Sequence, residues 1–234
     1  MKKIAIANKE KTIVLLSGGM DSLLCMALKY QKGDILHTLH FDYGQKTFKK
    51  ECACAEQIAD FYNVTKENQK TIDLKFMKQI GGSALNDELI KLSTTGENLT
   101  QSIVPTSYVP YRNTVMLSLA LSYAEVINAD NIAIGAVQDD ELGYPDCRKN
   151  YFDAFQQMAK LGGDNPNINI ETPLINLKKT EIVNKLFALK APIEFSWSCY
   201  QATNIACGVC DSCRLRLAAF KSAHKVDPID YQHS

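Results

Sequence analysis

Leu16-Ser17-Gly18-Gly19-Met20-Asp21-Ser22 decides how this chain is read. The stretch follows an apolar run, Thr12 to Leu16, and leads into a helical pattern, Ser22 to Tyr30. A strand that turns through two glycines into a helix aims several backbone N–H groups at one point. The helix dipole adds partial positive charge there, so the turn is an anion site. Gly18 and Gly19 let the backbone approach an anion with no Cβ in the way. Ser17 and Ser22 add hydroxyl donors. Asp21 is the odd member, because a carboxylate beside a phosphate repels it unless a cation bridges the two, and magnesium is suited to that bridge. The stretch is neither the G-x-x-x-x-G-K-[ST] loop nor the dinucleotide G-x-G-x-x-G. An ordinary glycine-rich turn is the competing reading, and the motifs further along the chain weigh against it.

At 234 residues and 46% hydrophobic, the chain suits one large α/β domain, or one domain with a small appendage. Its formal net charge is zero, which argues against a nucleic-acid or anionic-membrane binder. No apolar run approaches the roughly 20 residues that span a bilayer. The apolar part of Met1 to Lys9 is too short for a signal peptide, so a cytoplasmic enzyme is expected. Eight cysteines in such a chain read as thiols and metal ligands rather than as disulfides.

Strand and helix patterns alternate. Strands are expected at Thr12–Leu16, Ile35–Asp42, Lys70–Leu74, Asn131–Gly135 and Ile168–Thr172. Helices are expected at Ser22–Tyr30, Phe48–Tyr62, Asn113–Asn128, Tyr151–Leu161, Lys179–Leu189 and Arg214–Phe220. Ile80–Pro105 has no strong periodicity and reads as a flexible excursion. The alternation predicts a doubly wound, mostly parallel, Rossmann-like sheet with ligands beyond the carboxyl ends of its strands.

Cys207-Gly208-Val209-Cys210-Asp211-Ser212-Cys213 forms C-x2-C-x2-C, with Cys199 eight residues earlier. Cys199, Cys207, Cys210 and Cys213 read as a closed structural zinc site, with an iron–sulfur cluster as the second reading. The division expected is an ATP-binding α/β domain over residues 1–190 and a zinc-binding helical extension over 191–234. Cys25, Cys52 and Cys54 lie in helical patterns and read as small core hydrophobes. His37, His40, His224 and His233 sit in no ligand or triad spacing and are given no chemistry.

Gly18 and its neighbours resemble the S-G-G-x-D-S loop of the PP-loop ATP pyrophosphatases, whose fold is adenine nucleotide alpha hydrolase-like. Further motifs follow in order: F-D-Y-G-Q from Phe41, Y-V-P-x-R-N from Tyr108, G-Y-P-D-C-R from Gly143, P-L-x-x-L-x-K-x-E-I from Pro173, and W-S-C-Y from Trp197 ahead of the cysteine cluster. Over roughly Ile13 to Pro228 the set resembles the 7-cyano-7-deazaguanine synthase family. The resemblance implies conversion of 7-carboxy-7-deazaguanine, ammonia and Mg-ATP to the 7-cyano compound, in queuosine and related 7-deazapurine biosynthesis. It implies two rounds of adenylation, first of the acid and then of the amide. Carboxylate and primary amide have nearly the same shape, so one site can serve both.

On that resemblance Ser17, Gly18, Gly19, Asp21 and Ser22 hold pyrophosphate and magnesium, framed by Leu16, Met20, Leu23 and Leu24. Asp42, Tyr43, Gly44 and Gln45 are expected at the adenine or ribose, because adjacent strand ends flank the switch point. Arg112 and Lys179 are expected to stabilise phosphate charge in the transition state, with Asp21 the third catalytic residue. Asp146 and Arg148 fit substrate recognition, a carboxylate for a guanine-like edge and a guanidinium for a carboxylate. Cys147 is given a packing role. A glutaminase using an N-terminal cysteine would need one just after Met1, where Lys2 stands, so free ammonia or a separate protein is the expected source of nitrogen. The partners expected are these small molecules, with no nucleic acid and no membrane, and a homodimer is left open.

The chain departs from the family pattern in three places: Asp140-Glu141-Leu142 where an aromatic and a serine are usual, Tyr111 where a small residue is usual, and Leu23-Leu24 where threonines often follow the loop. A paralogue acting on a related 7-deazapurine and a PP-loop tRNA thiolation enzyme are the alternatives.

Overall fold

The computed structural model describes residues 9–93, 104–140 and 143–232; Glu141, Leu142 and His233 lie outside the described residues. Its centre is a five-stranded parallel sheet in the order β3-β2-β1-β4-β5. The strands are β1 (Lys11–Leu15), β2 (Ile35–Asp42), β3 (Gln69–Asp73), β4 (Asn131–Ala133) and β5 (Asn169–Glu171). The helices are α1 (Met20–Lys32), α2 (Phe48–Phe61), α3 (Met77–Ile80), α4 (Arg112–Ile127), α5 (Lys149–Gly162), α6 (Lys179–Ala188) and α7 (Asp211–Ser222).

The apolar run of β1 is continuous because both faces of the central strand are covered. Val14 and Leu16 pack with α1, α2, α6 and α7, while Ile13 and Leu15 pack with α4 and α5 on the other face. Chain order runs from β1 outward to β3, then returns to place β4 on the opposite side of β1. The β1/β4 boundary is therefore the switch point, where the loops diverge to opposite faces and leave a crevice.

Four helices begin one to three residues earlier than the sequence pattern suggests: α1 at Met20, α4 at Arg112, α5 at Lys149 and α7 at Asp211. Gly19 is extended (φ −83°, ψ 165°) and caps α1, so Met20 and Asp21 already belong to its first turn. Cys210 likewise caps α7, which starts at Asp211. The segment read as a flexible excursion is packed over Ser83–Asn86, while Ile80 and Leu89 stand exposed. Ala84 and Leu85 are buried, and the Ala84 N–H donates to the Thr106 carbonyl at 2.8 Å, so irregular backbone there is satisfied across the loop. The C-terminal segment shares the main core: Ile193, Ala219, Phe220 and Ala223 pack in the same cluster as α1 and α6. Among the described residues no helix is long and apolar enough to cross a membrane.

Lys29, near the C-terminal end of α1, is 5% exposed and pairs with Glu171 and with Asp34 at 3.5 Å. Thr12 also donates to Asp34, at 2.7 Å. Removing one member of such a group leaves a buried charge uncompensated. Lys29→Ala is expected to lower unfolding free energy by about 3 kcal/mol in urea titration.

Candidate active site

The glycine turn before α1 stands at the switch point. Gly18 adopts φ +82°, and a Cβ there would lie 2.5 Å from the Glu51 carbonyl oxygen, so only glycine fits. The Ser17 hydroxyl lies 3.1 Å from that of Ser22 and accepts from the Gly19 N–H at 3.2 Å. Ser22 in turn donates to the Gly19 carbonyl at 2.9 Å. On the β4 side, a Cβ at Gly135 would come within 3.0 Å of the Asp21 backbone, so a second glycine lets β4 close onto the start of α1.

Lys179, the first residue of α6, donates its ammonium to Asp21 Oδ2 at 2.6 Å. Its own N–H is held by Asp139 at 2.7 Å. The other Asp21 oxygen, Oδ1, is buried and has no hydrogen-bond partner. A carboxylate oxygen left bare in the first turn of a helix, beside bonded serine hydroxyls, has the donor chemistry of a hard divalent cation site. Magnesium fits these residues.

A cavity of about 270 Å³ opens above this turn. Of the residues expected at the site, Leu16, Ser17, Gly19, Met20, Asp21 and Ser22 line it, and so do Tyr43, Gln45, Arg112 and Lys179. Arg112 begins α4, donates to the Tyr43 hydroxyl at 3.1 Å and lies over the Tyr43 ring at 5.2 Å. Burial pushes the Tyr43 phenol up to about 12, against the opposing charge of Arg112, so it stays a neutral hydroxyl. Gln45 spans the β2 tip, accepting from the Tyr43 N–H at 3.0 Å and donating to Glu51 at 3.0 Å.

Other expected residues do not line the cavity. Gly18 turns behind it, and Leu23 and Leu24 are fully buried in the core. Asp42 accepts from the Gly44 N–H at 3.0 Å and pairs with Lys75 at 3.0 Å, which shapes the β2 loop. Gly44 takes φ +85° against the Lys78 side chain. Asp146 is 5% exposed; its Oδ2 accepts from the Asn113 N–H at 3.0 Å in the first turn of α4. Arg148 is exposed and caps α5.

From the same two motifs the cavity instead receives Asn113, Tyr144 and Cys147. Asn113 joins them, donating to the Asp146 carbonyl at 2.9 Å and to Cys147 Sγ at 3.4 Å. Sequence spacing carries no signal for this exchange, because a short 3-10 turn (Pro145–Cys147) decides which side chain faces inward. Tyr111, before Arg112, has φ +52°, a left-handed conformation that costs a side-chain residue about 1 kcal/mol.

Burial raises the Asp146 carboxyl above its ordinary 3.8, opposed by the Asn113 N–H and Arg112. A raised folded-state value means the native state holds its proton at higher pH than the unfolded chain does. Stability from this group is therefore present below 3.8 and is lost as pH rises through the folded value. Asp146→Asn keeps an oxygen for the Asn113 N–H and removes that loss. Chemical denaturation across mildly acidic to neutral pH is expected to show a shallower fall in stability for the variant.

The four cysteine sulfurs of Cys199, Cys207, Cys210 and Cys213 are buried and lie within 4.8 Å of one another, so they can hold a metal ion. Backbone N–H groups of Gln201, Ala202 and Cys207 point at Cys199 Sγ from 3.4, 3.3 and 3.4 Å. Hydrogen bonds from Cys210 and Cys213, then from the Cys207 and Ala202 N–H groups, hold the Cys199 thiol far below its ordinary value. Trp197 ties this centre to the anion loop: its indole N–H donates to the carbonyls of Cys199 and Ala202, and its backbone N–H donates to the Gly18 carbonyl at 2.8 Å.

Comparison with known proteins follows the same outline. The family described as "Queuosine biosynthesis protein QueC" matches residues 11–224. A 7-cyano-7-deazaguanine synthase of Chlorobaculum parvum is 48% identical over 224 residues, covering 95% of this chain and 96% of the relative. Its counterpart in Chlorobium phaeobacteroides is 49% identical over 223 residues, covering 95% and 97%. That of a Sulfurovum species is 44% identical over 224 residues, covering 95% and 99%. With the match running almost end to end at nearly half identity, the chain belongs to the QueC family of queuosine biosynthesis proteins.

Proposed function

We propose that this chain is an ATP-dependent carbon–nitrogen ligase that makes 7-cyano-7-deazaguanine from 7-carboxy-7-deazaguanine and ammonia. The observation that carries the chemistry is the bare Asp21 Oδ1 beside the Lys179 ammonium at the start of α1, on the switch point of a parallel sheet. The first-turn N–H groups of α1, with Ser17 and Ser22, receive the β- and γ-phosphates. Asp21 holds magnesium, which when bound neutralises phosphate charge and leaves the α-phosphorus open to attack. Lys179 and Arg112 offset the charge that grows on the phosphate oxygens. The carboxylate of the substrate attacks the α-phosphate, pyrophosphate leaves, and ammonia displaces AMP to give the amide. A second adenylation on the amide oxygen and loss of AMP give the nitrile.

Tyr43 and Gln45 belong to the nucleotide side of the cavity, and Asn113, Tyr144 and Cys147 to the heterocycle side. In this reading Asp146 acts through Asn113, holding the start of α4 in place for Arg112. Zinc is the metal of the cysteine centre. With Zn–S near 2.3 Å a tetrahedral set puts sulfurs about 3.8 Å apart. Sulfurs all within 4.8 Å leave room for one ion and not for a four-iron cube. With four protein ligands the zinc is architectural, and it braces Trp197 against the loop.

The test is mass spectrometry of purified protein incubated with the acid, ammonium and Mg-ATP. The expected result is the nitrile with two AMP formed per product. Acid labelled with heavy oxygen is expected to pass its label into AMP. Unlabelled AMP, or no acid-dependent AMP, overturns the proposal.

A further inference from the structure

A second cavity of about 260 Å³ lies behind the anion loop, between α2 and the β2–β3 side of the sheet. Leu16 and His40 line both cavities, so they form the wall between them. His40 is 5% exposed and stacks on Phe48 at 5.7 Å. Its Nδ1 lies 2.9 Å from the Leu16 carbonyl oxygen. A carbonyl can only accept, so Nδ1 carries the proton and Nε2 presents a lone pair. That Nε2 is buried and has no hydrogen-bond partner. The rest of the lining brings acceptor oxygens from Thr38, Gln69, Thr71 and the exposed Glu56 carboxylate, together with Lys66 and Lys70. The two lysines of this lining are engaged elsewhere, Lys66 with Asp60 at 2.7 Å and Lys70 over the Tyr123 ring at 5.4 Å.

We propose that this second cavity is the entry site for ammonium and that His40 Nε2 takes the proton that turns it into the attacking ammonia. The inference rests on the adenylation proposed above. Ammonium is overwhelmingly protonated at neutral pH and has no lone pair for attack. It offers four N–H donors, which the oxygens of Thr38, Thr71 and Glu56 can receive while Lys66 and Lys70 are drawn to Asp60 and Tyr123. Burial lowers the His40 imidazole, against the Leu16 hydrogen bond and the charges of Glu51, Asp42 and Glu56, so the ring is neutral and Nε2 holds a free lone pair.

The step balances. Ammonium gives one proton to Nε2, and the ammonia released attacks the acyl carbon of the adenylated acid. The C–N bond forms, and the C–O bond to AMP breaks with its electron pair leaving on AMP. The nitrogen then sheds a second proton to solvent, leaving the primary amide. His40 returns its proton to water through the entry cavity.

The test separates the two half-reactions. Acid-dependent ATP–pyrophosphate exchange, run without ammonium, reports adenylation alone. Rates against ammonium concentration report capture and deprotonation, and hydroxylamine, neutral at the same pH, replaces ammonium as a nucleophile that needs no base. His40→Asn keeps an N–H for the Leu16 carbonyl and deletes Nε2. It is expected to retain exchange within a few-fold, to lose about 10²-fold in kcat/KM for ammonium, and to be restored to near wild-type rate by hydroxylamine. Glu56→Gln, on the far wall, is expected to raise the KM for ammonium several-fold with exchange unaltered, and it serves if His40→Asn does not fold.

Unchanged ammonium dependence in these variants overturns the entry site. Exchange falling in step with ammonium use also overturns it, because His40 then serves the nucleotide or the loop. A wild-type protein without acid-dependent exchange sinks the adenylation reading instead.

Discussion

Asp21→Asn is expected to lower acid-dependent ATP–pyrophosphate exchange by about 10³-fold while the protein stays folded. Asp21 is in the first turn of α1, with one oxygen on Lys179 at 2.6 Å and the other bare and buried. The amide keeps one oxygen for Lys179 but loses the charge that draws a divalent cation. It also weakens the hold on the Lys179 ammonium, which then pairs more tightly with phosphate in a ground state that lacks the metal. A modest gain in nucleotide affinity with collapsed turnover is therefore the signature expected, read as KM for ATP against kcat. Raising magnesium is expected to recover little, because the ligand itself is gone. A loss under tenfold would remove Asp21 from the metal and shift the catalytic weight to Arg112 and Lys179.

Cys210→Ser is expected to have the largest effect on stability. Structural zinc in small Cys-rich folds contributes about 10 kcal/mol or more, comparable with the roughly 5–15 kcal/mol that holds a whole domain. Around the cysteine centre Cys54, Trp197 and Ala206 are buried, and the buried Arg216 of α7 pairs with Asp227, so the metal adds to packing that ties α7 to the rest of the chain. Trp197 is the sole tryptophan and is buried, so its fluorescence reports this region directly. The variant is expected to purify without metal, to show red-shifted emission, and to lose exchange activity by about 10²-fold, the size seen when one positioned donor at a site is removed. The loss follows from the Trp197 N–H that holds the Gly18 carbonyl at 2.8 Å. Metal loss with Trp197 still buried and exchange intact would uncouple the centre from the loop.

Much of the fold was legible along the chain. Each expected strand appears within about one or two residues of its place, because β1, β2 and β4 carry apolar or β-branched runs between turn residues. Helix starts were read late at Met20 and Asp211, since Gly19 and Cys210 cap their helices with backbone alone and leave no side-chain signal. The Ala84–Leu85 segment was read as loose because its hydrogen bonds go to Thr106, some twenty residues away, which no local window reports. His40 sits in an ordinary strand pattern, and nothing in its neighbours along the chain marks the Leu16 carbonyl that selects its tautomer.

By itself the sequence determined the parallel α/β order, the glycine turn before α1 and the four thiols near the end, because periodicity, glycine permissiveness and ligand spacing are all local properties. Only the tertiary structure decided that Lys179 reaches Asp21 across 158 positions, that Asp146 turns to the start of α4 while Cys147 faces the cavity, and that Trp197 locks the cysteine centre onto Gly18. The physical reason is that each of these depends on burial and on donor–acceptor distances between segments brought together by packing, and such distances are not written in any neighbouring stretch of chain.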